Sequence, residues 1–392
     1  MSQTSSSLRF IVPGLLDPVP YLKELPVQEL PALPLFSKCL SRGDYSVPKE
    51  KNLTDMSYYQ CLLNDPLFIN TFEHQEQHAI ASLSYFLDIQ NLTQKYKKKA
   101  IDVYLNEHYA NKFFMRADPC FMVADRDQLV LARTTELDLS WPEAQQLCAE
   151  INDFYQPIAE EQFWTLKALS AEHWYIISDR PLNIKTTPSE RVLGQAVKSY
   201  LVGANNDAQK QDSQHWRALF NEFQMILHQS NTNQQRLKNK QYPINSLWFW
   251  GQGAGLNYFA EQEPSSIGQK SAMVYTKDAI AQSLSLINHY QYSDVPEVYQ
   301  HDPSGVSTQT LYILDDFAQA IQNKDIISWL ALVEKFEKNY LQTILKNIKE
   351  GHLSQVEFVS PTGAKLLINK RLLRRWWRNK KTAYVFMSDN VD

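Results

Sequence analysis

Glycine is scarce in this chain. It supplies 11 of 392 residues, roughly 3% where globular proteins carry about 7%, which argues against a protein built on several glycine-rich phosphate loops. Cysteine is scarcer still: Cys39, Cys61, Cys120 and Cys148 lie far apart with no CxxC pair, which excludes a zinc ribbon or a dense disulfide framework and predicts a reducing compartment. No run approaches the 18 or so apolar residues of a membrane span, and the opening MSQTSSSLRFIVPGLL has no charged region ahead of a long apolar stretch. The expectation is a cytoplasmic protein without membrane contact. Neither sign of charge dominates. With 39 Lys and Arg against 43 Asp and Glu, no global field draws the chain onto nucleic acid, and none is expected as a partner. A GxSxG elbow and a papain-like cysteine context are also missing, so covalent hydrolase chemistry has no support.

What is present is a chain 44% hydrophobic and 12% aromatic, with ample side chain for a core and a length that suggests two or three structural units. A short strand, Arg9 to Val12, runs into a segment with six prolines from Pro13 to Pro34, which reads as an extended loop. Helical spacing of Leu83, Phe86 and Leu87 predicts a helix from about Glu73 to Asp88, followed by a solvated lysine cluster at Lys95, Lys97, Lys98 and Lys99.

From about Asn106 the pattern changes. Strands around Cys120 to Val123 and Leu129 to Ala132 flank a charged turn like a hairpin. Ser140 and Glu143 form a capping box for a helix carrying Leu147, Ile151 and Phe154 on one face. A strand from His173 to Ser178 and a helix with Trp216, Leu219, Phe220, Phe223 and Leu227 complete a small α+β module. After Pro243, the apolar runs Ile244 to Trp250, Ala272 to Tyr275, Thr310 to Leu314 and Val356 to Val359 alternate with helical stretches, which predicts a parallel α/β sheet. The clearest helix runs from about Lys324 to Glu350, with Ile326, Leu330, Val333, Tyr340, Leu341, Ile344 and Ile348 on one stripe and Gly351 as its left-handed stop.

Several groups of residues invite a chemical reading. Gly251-Gln252-Gly253-Ala254-Gly255, directly after an apolar strand, can offer backbone N–H groups to a phosphate or other anion, or can simply turn the chain. Asn245, Trp248 and Trp250 sit beside it, and the two tryptophans share a strand face as core or as a stacking wall. His74 and His78 are spaced to share a metal from one helix face or to face solvent. The segment Lys370 to Lys381 holds seven cations and two tryptophans in twelve residues. Its Leu372, Leu373, Trp376 and Trp377 can pack a terminal amphipathic helix, or Arg371, Arg374, Arg375, Trp376 and Arg378 can dock a protein partner or nucleic acid.

The string Pro243-Ile244-Asn245-Ser246-Leu247-Trp248-Phe249-Trp250-Gly251-Gln252-Gly253 resembles the P-x-N-x-[IL]-W-x-W-G-x-G signature of archaeal-type, cofactor-independent phosphoglycerate mutases. Ala117-Asp118-Pro119, Ala124-Asp125-Arg126-Asp127, Glu143-Ala144, Leu147, Asn233 and Arg236 look like further landmarks of the module inserted into that family's core. The chain is more similar still to the bacterial branch of phosphoglycerate-mutase-related, RpfE-type regulatory proteins. The resemblance implies an α/β fold with an alkaline-phosphatase-like parallel-sheet core, formed by residues 1–105 and 243–392, interrupted by an α+β insertion over 106–242. It also implies two divalent metals on aspartates and histidines at strand ends, beside a serine or threonine nucleophile.

The metal positions depart from that pattern. Where the relatives' first strand resembles I-L-D-G-x-x-D, this chain reads Val12-Pro13-Gly14-Leu15-Leu16-Asp17 and places proline at the ligand position. Thr54-Asp55 is the nearest candidate for the nucleophile dipeptide, with an ordinary loop or cap role as its alternative. The stretch Leu314-Asp315-Asp316-Phe317 lacks the relatives' histidine, Ser360-Pro361-Thr362-Gly363 follows the later strand, and no Asp-His pair exists anywhere in the chain. Metal affinity follows ligand count and geometry. The expectation is a mutase-like protein without a metal site, cofactor or catalytic residues, serving a regulatory or ligand-binding role toward a small phosphorylated or anionic molecule. The alternatives are an active metal-dependent mutase and an interaction module that uses the basic tail.

Overall fold

A computed structural model describes residues 7–17, 19, 22, 25–26, 30–47, 61–62, 65–68, 81, 84, 88, 112–126, 128–133, 137–156, 162–203, 209–254, 272–288, 290–300, 309–322 and 325–384. The chain forms two compact units, Met1–Glu73 with Ser265–Asp392, and His74–Pro264. The second unit therefore reaches beyond the expected insertion, 106–242, on both sides. The expected lysine cluster, Thr54-Asp55, the pair His74 and His78, and most of the helix expected over Glu73 to Asp88 lie outside the described residues.

The first unit is mixed α/β. Its sheet contains β1 (Ser7–Ile11), β2 (Asp44–Ser46), β8 (Ala272–Tyr275), β9 (Gln291–Ser293), β10 (Gln309–Ile313), β11 (Gln355–Val359) and β12 (Lys365–Asn369), in the order β2-β12-β11-β1-β10-β8-β9. The strands from β11 to β9 run parallel, while β12 is antiparallel to both its neighbours. Register aligns Phe358, Phe10, Tyr312 and Tyr275 across four strands, and their rings follow one another at 5.5, 4.7 and 4.5 Å. Offset aromatic contacts of this kind add to the area they bury.

The helix expected over Lys324 to Glu350 is present as α7 (Ile326–Phe336), a π-helical turn Glu337–Leu341, and α8 (Gln342–Glu350). Gly351 ends it at φ +90°, and Asn347 O accepts from the N–H groups of Gly351, His352 and Leu353, as a left-handed helix stop requires. The π turn inserts one residue and rotates the buried face. Trp329 is therefore fully buried, while Ile326 and Leu330 of the expected stripe are only half-buried. The same turn aims the Glu337 carboxylate at the start of α1 (Pro34–Arg42), where it accepts from the N–H groups of Leu35 at 2.6 Å and Phe36 at 2.9 Å. Leu33 precedes that helix and has no side-chain acceptor, so a distant residue supplies the cap. Helices α5 (Ala279–Ile287) and α6 (Asp315–Gln322) follow β8 and β10.

The second unit is α+β. The long strand β3 (Phe113–Asp125) pairs antiparallel with β4 (Gln128–Arg133), β6 (Trp174–Ser178) and β7 (Ser246–Ala254), and β6 pairs with β5 (Trp164–Ala168). The hairpin expected around 124–127 is β3-β4. The expected capping box opens α2 (Trp141–Tyr155), with Ser140 and Glu143 bonded reciprocally. Trp216, Leu219, Phe220, Phe223 and Leu227 are buried on α3 (Lys210–Gln229), and α4 (Asn231–Lys238) follows.

The run Ile244 to Trp250 corrects one expectation, because it lies in the antiparallel sheet of this unit and not in the parallel sheet. Residues 246–250 are all buried, with Phe249 packed on Trp216, Phe220 and Phe223. An unbroken apolar run reports burial of both faces, not strand direction. Among the described residues no helix is long and apolar enough to cross a membrane.

Candidate functional site

In an open sheet with parallel strands, ligands gather outside the carboxyl ends where strand order reverses. Here β1 lies between β11 and β10. Beyond β1 the chain turns at Pro13-Gly14, with Gly14 at φ +75° and so close to Ile321 and Trp329 that a Cβ would lie 2.3 Å from the Ile321 Cδ1. Asp17 folds back beneath this turn. Its Oδ2 accepts from the Gly14 N–H at 3.2 Å, its Oδ1 from the Thr362 hydroxyl, and Ser360 adds a further side-chain hydrogen bond. Burial pushes the Asp17 carboxyl above the usual range, against the pull of those donors.

Beyond β10, Asp315 and Asp316 open α6, and burial followed by the charge of Asp316 raises the Asp315 carboxyl. Lys277, after β8, stands 3.9 Å from Asp316. Pro13 offers no side-chain ligand atom, and the hydroxyls of Ser360 and Thr362 are engaged with Asp17 and each other, their oxygens 3.1 Å apart. Among the described residues no three His, Cys, Asp or Glu side chains converge as a metal site.

The signature residues of the second unit have other partners. Asn245 is a clamp: its Oδ1 accepts from the Met122 N–H and its Nδ2 donates to the Met122 carbonyl, both at 2.8 Å. The indoles of Trp248 and Trp250 are buried and donate to the Thr187 carbonyl at 2.8 Å and to Asp118 Oδ2 at 2.5 Å. The expected glycine loop is corrected over 251–254, which continues β7. Phe114 opposes Gly253 and Arg116 opposes Trp250, so Gly251 and Gln252 together face Met115. This is a β-bulge with glycine at φ +68°, the conformation that favours glycine there. The Gly251 N–H donates to Thr186 Oγ1 at 3.2 Å. Gly255 lies outside the described residues. The other landmarks serve the same fold: Asn233 clamps Ile244 through both carbonyl and N–H, and Arg236 donates to the carbonyls of Tyr242, Asp138 and Leu137 and to Glu143.

A buried polar network in this unit was not expected from sequence. Arg116 bonds Asp118 at 2.6 Å and Ser84 Oγ at 2.7 Å, with its guanidinium over the rings of Tyr175 and Trp250. Ser84 lies 2.6 Å from the Tyr175 hydroxyl, which donates to Asp88 Oδ2 at 2.5 Å, and Asp88 meets His173 Nδ1 at 2.9 Å. Burial opposes the Arg116 charge, yet Asp118 beside it holds the guanidinium pKa above its ordinary value. Burial and, after the opposing effect of Arg116, Asp88 keep the Tyr175 phenol protonated. One signal for the pair was present, since residues two apart on a strand share a face. Ser84, Asp88, Tyr175 and His173 come from separate segments, and no local pattern joins them.

The four thiols are buried and unpaired; burial pushes Cys39 and Cys61 up to about 12 and also raises Cys120 and Cys148. In the basic segment a 3-10 turn, Leu372–Arg374, replaces the amphipathic helix of the packing reading. Leu372 and Leu373 are buried, whereas Arg371, Arg374, Trp376 and Arg378 are exposed and Arg375 pairs with Asp44.

No protein-family model matches this chain, and no curated protein does. Among solved structures it is similar to the cofactor-independent phosphoglycerate mutase from Thermoplasma acidophilum, at 13% identity over 98% of each chain with a TM-score of 0.39. It is also similar to the PH0037 protein from Pyrococcus horikoshii, at 13% identity over 93% of this chain and 87% of that one with a TM-score of 0.46.

Proposed function

We propose that this chain is a divergent, phosphoglycerate-mutase-like protein with an alkaline-phosphatase-type core, which has given up two-metal phosphoryl transfer and serves as a regulatory or ligand-binding protein for a small phosphorylated or anionic molecule. The observation that carries this reading is the carboxyl end of β1. Proline stands where the resemblance calls for a metal ligand, and the nearby Asp17 carboxylate is held inward by Gly14, Ser360 and Thr362. A carboxylate so engaged is a poor metal ligand, because coordination would strip it of donors in a buried setting.

The signature residues support the same reading from the other unit. Asn245, Trp248, Trp250 and Gly251 keep strand β7 in register, a task that survives loss of catalysis. The anion-binding role of the segment 251–255 requires backbone donors, and that of Gly251 is already given to Thr186.

The test uses the full-length protein with added manganese, zinc or cobalt. Neither interconversion of phosphoglycerate isomers nor cleavage of an aryl phosphate is expected, and elemental analysis should find no stoichiometric metal. Metal-dependent turnover that disappears in Thr54→Ala, with paired metals held per chain, would establish an active mutase instead. Titration with inorganic phosphate and with phosphoglycerate, followed by the thermal midpoint, addresses the ligand, since binding to the native state raises that midpoint. A midpoint unmoved by either removes the anionic-ligand role.

A further inference from the structure

Two tryptophans of the first unit face solvent on a stretch of chain that is otherwise fastened down. Trp376 and Trp377 are 78% and 66% exposed, with ring centroids 6.2 Å apart and planes at 85°. Around them, Leu372 and Leu373 are buried, and the Leu373 carbonyl accepts from Arg42 at 2.7 Å. Arg378 donates to the Gly43 carbonyl at 2.9 Å, and the N–H groups of Lys381 and Ala383 donate to Ser41 and Ser37. The exposure of the indoles is thus a property of a fixed surface. Large apolar side chains exposed side by side on an ordered surface can mark an interaction site, and tryptophan and arginine are both enriched among the residues that dominate interfaces.

Charge states what such a site accepts. Residues 370–381 hold seven cations and no acidic residue, leaving 32 cations against 43 acidic residues in the rest of the chain. Arg375 and Arg378 are turned toward Asp44. Lys370, Arg371, Arg374 and Lys380 are exposed and available to a ligand.

We propose that this surface docks a short acidic segment of a partner protein, with Trp376 and Trp377 as apolar anchors and Lys370, Arg371, Arg374 and Lys380 as counter-charges. The geometry favours a peptide over nucleic acid, because perpendicular rings form a corner for one apolar side chain and not the parallel platform on which successive bases stack. Charge favours a short segment over a membrane or a long polyanion, since the basic excess is confined to twelve residues of a chain whose net charge is -4. This inference is independent of the reading of the carboxyl edge.

The experiment titrates full-length protein into a fluorescein-labelled dodecapeptide of Asp and Glu with one central Phe and follows anisotropy. Binding is expected to weaken about tenfold or more in the double variant Trp376→Ala, Trp377→Ala, and similarly in Arg371→Glu, Arg374→Glu. It should also weaken with added salt. Because all four side chains are exposed, circular dichroism and the thermal midpoint should match the parent. Absence of peptide binding, or equal binding by both variants, overturns the proposal. So does tighter binding to oligo-dT or to phosphatidylserine vesicles than to the peptide. Sedimentation that reveals self-association lost in the tryptophan variant would also overturn it, assigning the surface to a second copy of the chain.

Discussion

The carboxyl edge of the first unit and the signature strand of the second both hold polar side chains in buried places, but they spend them differently. At the edge, Asp17 is satisfied by a backbone N–H and two hydroxyls of the adjoining turns, with no cation among its partners in the described residues. Around β7 the buried charges are matched: Arg116 meets Asp118, and Trp250 completes the carboxylate. The residues that carry the mutase resemblance belong to the matched network and its surroundings, whereas the positions where that resemblance demands catalysis belong to the edge. The residues around β7 hold a sheet together through buried, matched partners, whereas those at the edge close a turn.

The largest effect expected from this contrast is in the second unit. Arg116→Ala strands the Asp118 carboxylate among buried groups, and removal of one partner of such a pair costs about 3–5 kcal/mol. Urea unfolding should show a loss of that order, and the double replacement Arg116→Met, Asp118→Leu should recover part of it. A loss below 1 kcal/mol, as for a surface pair, would dissolve the distinction between the two units.

A smaller effect is expected at the bulge. Gly251→Ala forces a Cβ into a left-handed conformation at a cost of about 1–2 kcal/mol. The midpoint of unfolding should fall accordingly, with binding of inorganic phosphate unchanged. A change in phosphate affinity with stability preserved would return the segment to the ligand-binding role first read from its glycines.

The smallest effects concern pH and have opposite signs in the two units. Asp17 has a raised folded pKa, chiefly through burial. Its contribution to stability is complete below the unfolded carboxylate value, about 4, and is lost as pH rises through the folded value. For Glu143, burial works against ionisation, but the hydrogen bonds from Ser140 and the charge of Arg236 outweigh it and lower the pKa. Its contribution is present above the unfolded value and lost as pH falls through the folded one. Over about pH 3 to 7, compared with the parent, Asp17→Asn should gain relative stability as pH rises above about 4, whereas Glu143→Gln should lose it as pH rises toward about 4 and change no further above that. Urea midpoints collected across that range check both slopes, and parallel slopes would refute the assignment.

Much of this architecture was legible wherever one periodicity ran unbroken. The hairpin at 124–127, the capping box at Ser140 and the buried stripe of α3 follow from local pattern alone. The helix of residues 326–350 was legible in extent but not in rotation, because the π turn at Glu337–Leu341 leaves no mark in the spacing of apolar residues. The direction of β7 was not legible, since burial on both faces erases the alternation that distinguishes one kind of sheet from another. Of the candidate sites, the departure at Pro13 could be read directly, while the inward turn of Asp17 depends on Ser360 and Thr362, more than three hundred positions away.

The placement of β1 at the heart of its sheet has a consequence for biosynthesis. Its hydrogen-bonded neighbours are β10 and β11, which begin at Gln309 and Gln355. At translation rates of 5–20 residues per second, roughly 15–60 s separate the emergence of the opening strand from that of its earliest neighbour. During that interval the apolar segment Phe10-Ile11-Val12 has neither of its sheet neighbours to cover it.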